Sequence, residues 1–261
     1  MFETKLQKSL LGAATAGLMA IGLAGTASAS PINVGGVVWD PEAPSDFKGF
    51  AVDIAENTVL GVGDTLMGQG IIGRINDTFP ATFCPGCELT FDFGGYTVAS
   101  AVVSGVTTTF TFTGGWLNVY VDNTPDFLDN QSVASATDGT RWLDLLAHPV
   151  GGVTLTGTIA PKLGSATLLS VNGAGLFDVG PGLGLANGNF DTDGQVDTLG
   201  GLADLSFTSS AQLDPTDSRL FPVIGSGEFF GDTIPEPASL ALLGFGLIGA
   251  GAMARRRRRR A

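Results

Sequence analysis

Hydrophobic and polar positions follow two rhythms along the chain. Two uncharged apolar runs, Leu10 to Gly25 and Ala238 to Ala254, lie near its ends. Between them, apolar and polar residues alternate in short runs with a period of two, as half-buried strands do. The clearest stretch is Val106 to Asp122: Val106, Thr108, Phe110 and Phe112 alternate with Thr107, Thr109, Thr111 and Thr113, and Trp116 to Asp122 comes after Gly114-Gly115. A two-residue Gly-Gly loop favours a tight hairpin, pairing Phe112 with Leu117 and Phe110 with Val119 on an apolar face. The opposite face then carries Trp116, Asn118, Tyr120 and Asp122 beside a row of threonines. Similar runs span 34–39, 50–54, 65–75, 88–93, 97–103, 141–146, 153–159, 167–171, 202–213 and 227–230. Gly, Asn and Asp punctuate them, and a short helix fits near 126–135 or 142–147. The pattern predicts an all-β fold, a single β-sandwich or jelly-roll-like domain over residues 30–233.

The N-terminal run has the organisation of a secretory signal. Lys5 and Lys8 precede it, and Ala27-Ser28-Ala29 supplies small residues for signal peptidase, so residues 1–29 are expected to be removed. At the other end, Pro235-Glu236-Pro237 precedes the 17 residues from Ala238 to Ala254. As a helix these would span roughly 25 Å, close to the ~30 Å of a bilayer core. The six arginines Arg255, Arg256, Arg257, Arg258, Arg259 and Arg260 then form a stop that stays cytoplasmic by the positive-inside rule.

These three parts, in this order, resemble the PEP-CTERM sorting signal of exported bacterial proteins. The resemblance covers residues 234–261 alone and is an address rather than an activity. It implies a Gram-negative source and a transmembrane helix that anchors the protein in the inner membrane. It also implies processing near Pro235-Glu236-Pro237 by the transpeptidase exosortase, and a link to the cell surface, extracellular polysaccharide and biofilm matrix.

Composition changes the picture once both ends are set aside. Residues 30–233 hold 23 acidic residues against five basic ones (Lys48, Arg74, Arg141, Lys162 and Arg219), a charge of −18. Such a surface repels nucleic acid and anionic membranes and suits divalent cations. The chain has 39 glycines in 261 residues, about twice the usual ~7%. Its Val, Leu, Ile and Phe content is too high for disorder, and about 205 residues can bury a core.

Cys84-Pro85-Gly86-Cys87 is the one cysteine pair. A redox pair would sit at a helix N-terminus, yet Glu88 to Phe93 alternates like a strand. A zinc site would need further Cys or His ligands, and the chain offers His148 alone. An exported, oxidising setting favours a local structural disulfide. The segment Asn189-Phe190-Asp191-Thr192-Asp193-Gly194-Gln195-Val196-Asp197 spaces oxygen ligands like a calcium loop, with Asn189, Asp191, Asp193, Gln195 and Asp197 as ligands. Gly200 stands where an EF-hand needs its glutamate, and the competing reading is an Asx-rich turn.

Trp116, Asn118 and Tyr120 suit stacking on and hydrogen bonding to sugars. An enzyme reading finds little support. His148 precedes a proline, no serine lies in a G-x-S-x-G elbow, and acid pairs such as Glu88 with Asp92 are too numerous to single out. The expectation is therefore a non-enzymatic surface or matrix protein that binds polysaccharide or adheres. The alternative is a secreted polysaccharide hydrolase using a carboxylate pair.

Overall fold

The alternating runs become fourteen strands in the computed structural model, which describes residues 30–127 and 132–234. The signal peptide, the Pro-Glu-Pro motif, the apolar run 238–254 and the arginines lie outside the described residues. Among those described, no helix is long and apolar enough to cross a membrane.

Eight staves form one antiparallel sheet that closes on itself. In order around the barrel they are β3 (Phe47–Glu56), β4 (Thr65–Ile75), β5 (Glu88–Ser104), a two-part stave of β6 (Thr107–Thr113) and β7 (Trp116–Asp122), a second two-part stave of β8 (Thr140–His148) and β9 (Leu155–Pro161), β10 (Leu169–Val179), β13 (Leu205–Leu213) and β14 (Val223–Gly231). β14 pairs back onto β3, and β10 pairs with β13 over nine positions. The expected sandwich is thus a closed barrel. Period-two alternation is common to both architectures, and closure depends on the sheet coiling. Register shifts in β3, β4 and β5 supply that coil, because a bulge bends and twists the strand that carries it.

The Gly-Gly hairpin is the second correction. β6 and β7 do not pair with each other; they run end to end along β5, Ser104 to Thr97 opposite β6 and Gly94 to Glu88 opposite β7. The tight turn is Gly105-Val106, where Ser104 faces Thr107. The faces are as expected, with Phe110, Phe112, Leu117, Val119 and Val121 buried. Alternation specifies which side chains share a face but not which strand lies alongside. The 17-residue edge of β5 outcompetes a local hairpin by pairing both segments at once.

Gly114-Gly115 instead forms a corner in the stave opposite Gly95-Tyr96, between the pairs Gly94–Trp116 and Thr97–Thr113. The Tyr96 ring covers Gly115, and Trp116 lies against Gly94, where a Cβ would come within 3.1 Å of the indole. An aromatic ring laid over a strand glycine covers backbone that would otherwise be bare. Thr154 Oγ1 donates to the carbonyl of Gly114 at 2.6 Å and Ala147 N to that of Gly115 at 3.0 Å, so the corner is held by the next stave.

The two ends of the barrel differ. At the basal end, where β3 begins, the hairpin of β1 (Ile32–Val34) and β2 (Val37–Trp39) meets a short helix. This is α3 (Asn187–Phe190), preceded in the chain by α1 (Pro80–Phe83) and α2 (Val133–Thr137). Trp39, Phe47, Trp142 and Phe190 stack there with centroids 4.7–6.1 Å apart. Trp142 Nε1 donates to the Val34 carbonyl at 2.9 Å, so the plug satisfies its buried polar group. Residues 142–147 are strand, not helix; the short helix lies at Val133–Thr137.

Gly115→Ala is expected to cost about 2–5 kcal/mol, combining positive-φ strain with the collision against Tyr96. Gly105→Ala, whose Cβ would meet nothing within 4 Å, should cost only about 1–2 kcal/mol. Urea unfolding of both variants checks this, and equal losses would point back to an ordinary hairpin turn at Gly114-Gly115.

Candidate functional site

The apical half of the barrel is not filled. One interior wall is aromatic and bulky, with Phe91, Phe93, Tyr96, Phe110 and Phe112 pointing inward. On the facing wall Gly157 of β9, Gly173 of β10 and Ser209 of β13 stand in register as a band of small residues, between Ile159, Val171 and Leu213 on one side and Leu155, Phe177 and Phe207 on the other. Eight-stranded barrels have room either to be packed by side chains or to hold one small ligand, and small residues on one wall leave space. The cavity measures about 60 Å³.

One carboxylate faces this apolar space. Glu56 ends β3 opposite Val223 of β14 and Gly68 of β4, and it lines the cavity with Val59 and Leu213. It is 9% exposed, and no ion pair among the described residues involves it. Burial alone pushes its pKa from 4.5 up to about 7. Around the same end, each apical loop exposes an apolar side chain: Leu60 and Val62 in 57–64, Val106 in the β5–β6 turn, Leu163 in 162–168 and Leu220 in 214–222. Sequence reasoning missed Glu56 because it reads as one acid among many; its inward position depends on the bulge around Asp53, whose φ is 50°.

The sequence-derived candidates fall elsewhere. Cys84 and Cys87 are joined in a disulfide with Cα atoms 5.2 Å apart, after α1 and immediately before β5. Asn118 and Tyr120 share the outer face of β7, each 7% exposed, and both are held by Arg141. Its guanidinium donates to Asn118 Oδ1 at 2.9 Å, Asp144 Oδ1 at 3.0 Å and the Tyr120 hydroxyl at 3.2 Å. Burial, then the charge of Asp92, raises the Tyr120 pKa above its ordinary value. Trp116 stays half-buried on Gly94-Gly95. The Arg141 network went unread in the sequence because its members are scattered over β5, β7 and β8.

The Asn189–Asp197 segment is drawn in several directions. Asn189 lies in α3, and the Gln195 amide donates to Asp232 at 3.4 Å. Asp197 accepts from the amides of Leu199 and Gly201, both at 2.7 Å, and from His148 Nε2 at 3.2 Å. The carboxylates of Asp191, Asp193 and Asp197 do not all lie within 4.8 Å of one another in this turn. Asp204 completes it by accepting from the amides of Thr192 and Asp193, both at 2.8 Å.

His148 Nδ1 also meets Asp178, at 2.8 Å. Burial works to lower the His148 pKa, but hydrogen bonds to Asp197 and Asp178 and their charges raise it overall. The arrangement clamps the loop after β11 (Gln195–Val196) to the barrel wall, and the hydrogen-bond partners of the imidazole are these two carboxylates rather than a serine or cysteine. Glu88 and Asp92 stand four positions apart on β5 and have different partners, the Asp126 and Phe127 amides for Glu88 and the Asn118 amide for Asp92.

The comparisons with known proteins agree with the reading of the tail. The PEP-CTERM protein-sorting motif matches residues 233–259. It marks an exported protein anchored by its C-terminal region before exosortase processes it. No curated protein and no solved structure matches the chain.

Glu56→Gln is expected to flatten the pH dependence of stability. The folded state holds a proton that the unfolded chain gives up between pH 4.5 and about 7, so stability falls as pH rises through that window. The variant should therefore be more stable than the parent at pH 8, by at most about 3 kcal/mol, and so melt higher there, and it should be nearly level with it at pH 4.5. Thermal melts at the two pH values check the sign; a variant less stable at pH 8 would mean the carboxylate has a stabilising partner.

Proposed function

We propose that the protein is a non-enzymatic surface or matrix protein of a Gram-negative bacterium, and that its barrel binds a small apolar molecule bearing a hydrogen-bond-donating head. The observation that carries this reading is the apolar cavity with a single carboxyl, Glu56, facing into it. A buried carboxylate without a cation is costly, and an amine or hydroxyl head supplies the missing donor while the aromatic wall takes the apolar body. The exposed leucines and valines of the apical loops offer such a molecule a route from water to the mouth. Export and release by exosortase put the barrel outside the membrane, where a carrier of this kind works.

A second reading keeps the polysaccharide of the matrix as a partner, through the outer face of β7. What favours it is Trp116, whose indole stays half-exposed beside the Asn118–Arg141–Tyr120 network while the other two tryptophans are fully buried. Indole faces next to polar groups stack on sugar rings.

Two measurements separate the readings. For the cavity, the barrel over residues 30–236 is titrated with the fluorescent apolar amine N-phenyl-1-naphthylamine. Saturable enhancement is expected, reduced about tenfold or more in affinity by Ser209→Leu, which fills the small-residue wall; equal binding by that variant would remove the cavity reading. For the matrix, Trp116→Ala should abolish co-sedimentation with extracellular polysaccharide from the producing cells, and unchanged retention would count against the outer-face reading.

A further inference from the structure

The register of β5 and β7 places two acids directly opposite each other. Glu88, the first residue of β5, faces Asp122, the last of β7. Each is 8% exposed. Like charges directly across an antiparallel pair repel, and burial strengthens the repulsion. No described lysine, arginine or histidine forms an ion pair with either. A third acid, the exposed Asp126, joins them, and ligand oxygens from Glu88, Asp122 and Asp126 all lie within 4.8 Å of one another.

Neighbouring groups hold the three in place without neutralising them. Glu88 Oε1 accepts from the amides of Asp126 and Phe127, at 2.9 and 3.0 Å. Asp122 Oδ1 accepts from the amide and hydroxyl of Thr124, at 2.9 and 2.8 Å. The other oxygen, Asp122 Oδ2, is buried and has no hydrogen-bond partner among the described residues. Buried carboxylate oxygens almost always have one, so this oxygen is set up for a ligand of positive charge. The Cys84–Cys87 disulfide pins the turn that delivers Glu88.

We infer that Glu88, Asp122 and Asp126 form a calcium site at the basal edge of the barrel, closed by water and by oxygen atoms of the same turn. Oxygens that bind one calcium ion at about 2.4 Å can be at most ~4.8 Å apart, which matches the spacing of the three. Three carboxylates with no nitrogen or sulfur ligand favour a hard cation, and calcium tolerates irregular oxygen geometry where magnesium demands a near-ideal octahedron. The ion would replace repulsion across the β5–β7 pair with attraction, and would tie the turn after β7 to the start of β5. This site is separate from the Asn189–Asp197 loop, whose three carboxylates do not all meet within that spacing.

The test uses the full-length chain purified in detergent, stripped with EGTA and titrated with calcium by calorimetry and thermal melting. Saturable heat and a melting temperature several degrees higher are expected, with magnesium at least about tenfold weaker. Asp122→Asn keeps an acceptor for Thr124, so it should fold. It should weaken calcium binding about tenfold or more and, in EGTA, melt higher than the parent because the repulsion is gone. Asp126→Asn changes an exposed residue and should weaken binding similarly, while Asp193→Asn should leave it unchanged. Absence of heat and of a melting shift in the parent, an equal response to magnesium, full binding by Asp122→Asn and Asp126→Asn, or loss of binding in Asp193→Asn would each overturn the assignment.

Discussion

Closure of the sheet is the constraint on which the rest of this structure depends. Nine paired positions between β10 and β13, with β14 returning to β3, leave the eight-stave sheet without a free edge. An open sheet of this length would expose a row of unpaired amides and carbonyls along each border. Closure also defines an inside. Once it exists, every alternating strand must commit one face to the interior, and a bulge such as that at Asp53 decides which acid is carried in.

The interior then divides by residue size. Basally, the β1–β2 hairpin and α3 drive Trp39 and Phe190 against Phe47 and Trp142, and the space is filled. Apically, an aromatic wall faces a band of small residues, Gly157, Gly173 and Ser209, set among larger apolar ones, and the space stays partly open. The high glycine content thus has two separate effects. Some glycines let the staves bend, as at Gly94-Gly95 and Gly114-Gly115, and others leave volume inside. An open apolar space with one buried carboxyl lowers stability relative to a filled barrel, and such a cost is retained where it serves binding.

The acidic composition resolves into local roles. Many aspartates act as acceptors for backbone amides in turns: Asp64 for Leu60 and Gly61, Asp204 for Val179, Thr192 and Asp193, Asp197 for Leu199 and Gly201. For Asp64 and Asp197 these amide hydrogen bonds hold the pKa below the ordinary carboxylate value. In the loop 189–197, Asp197 plays this part, and Asp204 does the same for the amides of Thr192 and Asp193. The Glu88–Asp122–Asp126 group differs because its members come from two strands and a turn, face one another, and leave a buried oxygen unmatched.

Local physics in the sequence determined the sorting tail, the all-β class, the inward and outward faces of β6 and β7, and the Cys84–Cys87 pairing. Each rests on residues close together in the chain: a run of arginines after an apolar segment, period-two alternation, two cysteines three positions apart. Strand partners, barrel closure, the inward turn of Glu56, the Arg141 network and the meeting of Glu88 with Asp122 were decided only by the tertiary structure. Alternation fixes a face without naming a neighbour, so Gly114-Gly115 reads as a hairpin until the long edge of β5 claims both flanking segments. Charge, likewise, is additive along a sequence, whereas burial and proximity, which turn a carboxylate into a site, exist only once distant strands have been brought side by side.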